Sequence, residues 1–156
     1  MSRILGTYKY FAFISYKRED VLFAKKLQKS IEEFHLPISL RENNPDLPER
    51  IRPLFRDDTE LSSGRLSESL NRALSESSFL IVICSPASSQ SQWVNKEVSS
   101  FIQAGREEDI VPVIIGGKPF SGGENECFPE SLLNLPKERE LLGIDLRAVQ
   151  IGRAHV

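Results

Sequence analysis

Residues 91–98, SQWVNKEV, set Trp93 and Glu97 four positions apart, so on a helix the indole and the carboxylate share one face a single turn apart. A second reactive pair, Lys17 and Arg18, stands in YKRED directly after the apolar run FAFIS. A carboxylate can move a proton or stabilise a positive charge, and adjacent cations can hold a phosphate. Each residue also has a plainer role. A helix glutamate is usually solvated surface, a tryptophan packs a core as readily as it walls a pocket, and a Lys-Arg pair often opens a solvated helix. The choice depends on which elements bring these residues together.

Phe11 to Ser15 suits a strand buried on both faces. Phe23, Leu27, Ile31 and Phe34 then recur at helical spacing, with Asp20 as the expected N-cap and an end near His35, before Pro37. Residues 37–53 carry four prolines and two adjacent asparagines, a pattern that predicts a loop without regular helix. Leu54 to Arg56 can form a short second strand, and the polar DDTELSSG follows. Leu66, Leu70 and Leu74 predict a helix from about Gly64, and FLIVICS (79–85) is the strongest strand signal. After PASSQ, the residues Val94, Val98, Phe101 and Ile102 predict a third long helix. A fourth strand in DIVPVIIGG contains Pro112, which removes a ladder bond; a helical turn at 129–133 and a last strand at 144–146 complete the series.

Strands alternating with helices predict an α/β, flavodoxin-like three-layer fold: a five-stranded parallel sheet with helices on both faces. Ligands of such sheets bind beyond the carboxyl ends of the strands, where the strand order reverses. YKRED, DDTELSSG and SPASSQSQW are the polar segments expected at that end.

Several chemistries fail on these segments. A phosphate-accepting receiver domain needs acidic residues at the ends of strands one and three, where this chain has Ser15-Tyr16 and Cys84-Ser85. No GxGxxG follows the first strand, which argues against a bound dinucleotide cofactor, and SPASS lacks the GxSxG nucleophile elbow. Cys84 reads as a small apolar residue at a buried strand end. Cys84 and Cys127 form no CxxC or Cys/His cluster, so neither a metal site nor a disulfide framework is expected.

The 156 residues, 40% hydrophobic and 27% charged, suffice for one compact domain. A net charge of −2 gives no general attraction to nucleic acid or an anionic membrane. The longest apolar run is too short to span a bilayer, and no signal peptide is evident, so a cytoplasmic protein is expected.

FISYKRED, FRDDTELSSG and SPASSQSQWVNKE, in this order and at these separations, resemble the successive boxes of a Toll/interleukin receptor (TIR) domain, over about residues 10–146. The proline-rich excursion before RPLFRD and the WVNKE helix are similar to bacterial members. That resemblance implies an NAD glycohydrolase acting in signalling or antiphage defence and activated by clustering, with Glu97 as the catalytic glutamate. It further implies that Tyr16, Lys17, Arg18, Asp57, Gly64 and Trp93 bind substrate, with NAD as substrate rather than cofactor. Asp57 would open and Gly64 close a loop that makes contacts between subunits, and Gly64 would suit a turn needing positive φ. Ser62-Ser63 stand where relatives often carry an acidic residue or a proline. The implied partners are other TIR domains and a fused or separate sensor domain.

The implied chemistry is sound. Glycosidic cleavage usually takes two carboxylates, one to protonate a leaving oxygen and one to stabilise the sugar cation. Nicotinamide in NAD is already cationic and leaves neutral, so one carboxylate facing the ribose suffices. At about 4 Å and an effective dielectric near 20, a carboxylate gains about 4 kcal/mol on a developing unit charge, roughly a thousandfold in rate. Two rivals are a non-catalytic TIR–TIR interaction module and a hydrolase of other nucleosides or nucleotide sugars.

Residues 1–9 read as a lead-in and 147–156 as a truncated tail. Family domains finish with a further helix, which is not visible here, and IGRAHV (151–156) resembles a translated sequencing adapter. The expectation is a non-native ending on a chain that continues naturally into that helix and a sensor domain.

Overall fold

A computed structural model of the chain describes residues 8–56, 68–136 and 143–148. Five parallel strands run in the order β2-β1-β3-β4-β5: β1 (Tyr10–Ser15), β2 (Leu54–Phe55), β3 (Ser77–Cys84), β4 (Ile110–Ile114) and β5 (Ile144–Asp145). This is the flavodoxin-like order. The long helices are α1 (Val21–Glu33), α3 (Glu68–Ser75) and α5 (Gln92–Gln103), with shorter turns α2 (Ile38–Asn43), α4 (Pro86–Ser89) and α6 (Glu130–Leu133).

Strand alternation sorts the core into two layers. Phe13 of β1 and Leu80, Val82 and Cys84 of β3 pack with α3, α5 and α6; Ala12, Ile14, Ile81 and Ile83 pack with Ala24 and Leu27 of α1. Both faces of β1 and β3 are therefore covered, which is why their sequences are continuously apolar. Pro112 sits inside β4 opposite Val82, in an internal strand.

The residues 37–53 are more regular than their prolines suggest. Helix α2 fits between Pro37, which stands at its N-cap, and Pro45, so the prolines bracket a short helix instead of interrupting one. PASSQ likewise contains α4, with Pro86 in its first turn and a reciprocal capping box between Ser85 and Ser88. The start of the helix expected from Gly64 lies outside the described residues.

Side chains tie the elements together at both ends of the sheet. Glu32 accepts from Leu54 N at 2.7 Å, fixing the short edge strand β2 to α1. Asn95 on α5 accepts from Ser131 N at 2.8 Å in the first turn of α6. Below the amino end of β3, Arg106 donates to the carbonyls of Ser77 and Ser78 and lies over the rings of Tyr8 and Phe101.

The loop from β4 to α6 is organised around one buried carboxylate. Glu126 accepts backbone N–H bonds from Phe120, Gly122, Cys127 and Phe128. Phe120 is held at φ +60°, the left-handed region, with its ring edge-on to Phe128. Burial pushes the Glu126 carboxyl up, but the four N–H bonds outweigh this and hold it below its ordinary 4.5. The folded state then binds fewer protons than the unfolded state. Its contribution is fully present above pH 4.5 and disappears as the pH falls through the lower folded value. In urea unfolding near neutral pH, Glu126→Ala is expected to cost about 2 kcal/mol. Glu126→Gln should remove part of the acid-side decline in stability that wild type shows below pH 4.5.

Candidate active site at the carboxyl ends of β1 and β3

The chain leaves β1 for β2 on one side and later enters β3 on the other, so the strand order reverses between β1 and β3. A crevice is expected outside their carboxyl ends. Ser15 closes β1 and pairs in register with Val82; Ser85 follows the last residue of β3.

Glu97 lies under this rim. Helix α5 starts with Ser91 as N-cap, whose hydroxyl accepts from Val94 N at 3.1 Å. The helix buries Val94, Glu97, Val98 and Phe101, residues at steps of three, one and three. Glu97 thus occupies a core-facing position, roughly 9 Å along the axis from the cap. Ser15 shares strand parity with Phe13 and faces the same layer. Its hydroxyl donates to Glu97 Oε1 at 2.6 Å.

Both side chains are buried, each 1% exposed. The structure holds Glu97 beneath the rim, because Val94 and Val98 draw that face of α5 onto the sheet. The carboxylate therefore presents almost no surface to solvent. Once reached, a carboxylate in such surroundings acts on a developing cation through little screening water.

At the same end of the sheet, Asp20 Oδ2 accepts from the Ser85 hydroxyl at 2.7 Å. Asp20 does stand at the N-cap of α1, as its sequence position predicts, but its side chain makes no cap hydrogen bond. Burial pushes its carboxyl above its ordinary value; the Ser85 hydroxyl partly counters this and Glu19 adds to it. Sequence reasoning missed Ser15, Ser85 and the turn of Asp20 toward β3, since a lone serine at a strand end carries no spacing signal.

Tyr16, Lys17 and Arg18 follow β1 at the same end of the sheet. Tyr16 packs on the α1-side layer, and its hydroxyl accepts from Arg56 Nη1 at 3.4 Å. Lys17 is half-buried and Arg18 exposed. Trp93, one turn before Glu97, is half-buried against the larger core cluster. Asp57 and Gly64 lie outside the described residues. Cys84 is fully buried and burial pushes its thiol far up, so it is an unreactive core residue.

Among the described residues, no group of three His, Cys, Asp or Glu side chains is arranged to hold a metal ion, and no helix is long and apolar enough to cross a membrane.

Comparison with known proteins bears on the family and the fold. A curated relative, the NAD(+) hydrolase ApTIR of Actinoplanes sp., is 30% identical over 112 residues; the match covers 70% of this chain and 14% of the relative. This chain therefore spans about a seventh of that protein's length. Among solved structures, the TIR domains of the activated Roq1 resistosome, which directly recognises the pathogen effector XopQ, match at 25% identity with a TM-score of 0.52. That match covers 75% of this chain and 66% of the other. The family model described as TIR domain matches residues 12–151, and with the sheet order and the three sequence boxes it establishes that this chain belongs to the TIR-domain family.

Proposed function

We propose that this TIR domain cleaves the bond between nicotinamide and ribose in NAD, with Glu97 facing the ribose. The observation that carries the reading is the position of Glu97: a carboxylate at a core position of α5, held by Ser15 under the rim where the strand order reverses. A buried carboxylate is a costly choice for packing alone. The similarity to a protein named as an NAD(+) hydrolase points to the same chemistry.

In the reaction the bond from ribose C1′ to the pyridinium nitrogen breaks, and its electron pair leaves with nicotinamide, which becomes neutral. Positive charge develops on the sugar, where Glu97 stabilises it without giving or taking a proton. Water then adds to C1′ and loses a proton, yielding ADP-ribose. Ser15 fixes the carboxylate in one rotamer, so its orientation costs little at the moment of reaction. Tyr16, Lys17, Arg18 and Trp93 stand at or near the crevice as substrate contacts, Lys17 and Arg18 toward the pyrophosphate; Asp57 and Gly64 belong to the same proposed set.

Because Glu97 is closed off in the isolated chain, activity requires an opening of the rim. Self-association of TIR domains, driven by a fused or separate sensor domain, is the proposed trigger, in a cytoplasmic signalling or defence role. The same closure also favours a second reading, a non-catalytic module that binds other TIR domains and leaves NAD intact.

Forced clustering of the purified chain separates the two. Wild type should release nicotinamide from NAD, and Glu97→Ala should slow the release by about a thousandfold. Equal rates in the two proteins remove Glu97 from the mechanism, and clustered wild type that leaves NAD intact selects the binding module. Ser15→Ala removes a hydrogen bond to a buried carboxylate and is expected to cost about 1.5–3 kcal/mol in urea unfolding. The same variant should also lower nicotinamide release, since Glu97 loses its fixed rotamer.

A further inference from the structure

We propose that Asp20 is the base that takes the proton from the water attacking ribose C1′, a second carboxylate with a role distinct from that of Glu97. The proposal rests on the NAD-cleaving reading above. In this step the water oxygen bonds to C1′ as one of its O–H bonds breaks, the proton passes to the Asp20 carboxylate, and the resulting acid returns it to solvent.

Its placement carries the argument. Asp20 ends the short 3₁₀ turn after β1 and stands at the N-cap of α1, yet leaves that helix uncapped by its side chain. An aspartate there would ordinarily cap its own helix through its side chain. Here the carboxylate turns instead to the Ser85 hydroxyl just past the end of β3, 65 residues further along the chain. Ser85 Oγ also accepts from Ser88 N at 3.1 Å, so its hydroxyl is fixed in place and its proton is directed at Asp20 Oδ2. Among the described residues Asp20 Oδ1 accepts from no donor, which leaves an oxygen for water at the mouth.

The neighbouring groups are poorer choices. Glu97 is buried, already accepts from Ser15, and is needed opposite the sugar cation. Lys17 and Arg18 carry donor-only side chains. Glu19 is exposed. His35 lies past the far end of α1, where it contacts Glu49 at 3.0 Å. Partial burial, which lifts the Asp20 carboxyl above its ordinary value, makes it a stronger base than an exposed aspartate.

The test is how the sugar cation is partitioned between two nucleophiles. Water must lose a proton on attack, whereas a pyridine base such as 3-acetylpyridine attacks through its nitrogen with no proton to lose. Clustered wild type, Asp20→Asn and Ser85→Ala are incubated with NAD and 3-acetylpyridine, and ADP-ribose and the exchanged dinucleotide are quantified. Asp20→Asn is nearly isosteric and keeps an acceptor for Ser85, and its melting curve checks the fold. The ratio of ADP-ribose to exchanged dinucleotide should fall at least about tenfold in Asp20→Asn and stay near the wild-type value in Ser85→Ala, which retains the carboxylate. A ratio in Asp20→Asn within about twofold of wild type overturns the proposal, as does an equal fall in both variants, which would make the pair a structural tie. Failure to detect exchanged dinucleotide with any of the three also overturns it. Clustered wild type that releases no nicotinamide overturns the NAD-cleaving reading and this proposal together; an active wild type with an unchanged ratio overturns this proposal alone.

Discussion

The hydrogen bond from Ser15 to Glu97 joins the last residue of β1 to the buried face of α5 across 82 residues of sequence. Everything proposed for the site depends on that contact. A carboxylate at a core position pays a desolvation penalty that apolar neighbours such as Val94 and Val98 cannot relieve. It is tolerated where a donor meets it in good geometry, and that donor is in place only if β1 and β3 pair in their observed register. A one-residue slip would turn Ser15 to the opposite face and bring Ile14 or Tyr16 toward α5. The strand register that builds the core is thus also what orients the carboxylate.

The two ends of the sheet use polar groups differently. At the amino end, Arg106 satisfies the carbonyls of Ser77 and Ser78 and pairs with Asp109, an arrangement that closes off backbone groups and stacks on aromatic rings. At the carboxyl end, Ser15, Ser85, Ser88 and Ser91 are all buried and hydroxyl-bearing; Ser15 donates to Glu97 and Ser85 to Asp20, while Ser88 bonds Ser85 and Ser91 caps α5. The first end is structural. The second has the composition of a site that handles a polar ligand, and it coincides with the place where an open α/β sheet leaves room for one.

Burial of Glu97 bears on the proposed coupling of chemistry to assembly, since a carboxylate 1% exposed needs the connections around it to part before a ligand reaches it. The Asp20–Ser85 hydrogen bond joins the β1–α1 connection to the β3–α4 connection directly.

Local patterning in the sequence was enough for the layered α/β class, all five strands and the three long helices, because alternation and helical spacing report burial residue by residue. It also pointed to Glu97, through the WVNKE box, and the spacing of Val94, Glu97, Val98 and Phe101 already held the sign that this carboxylate faces the core. The short helix α2 was not legible, since prolines at its borders look locally like prolines that forbid it. Tertiary structure alone decided the pairings of Ser15 with Glu97 and Asp20 with Ser85, and the gathering of four N–H groups on Glu126. Such contacts arise when strand register and helix packing bring distant residues within hydrogen-bonding range, and no periodicity along the chain encodes that distance.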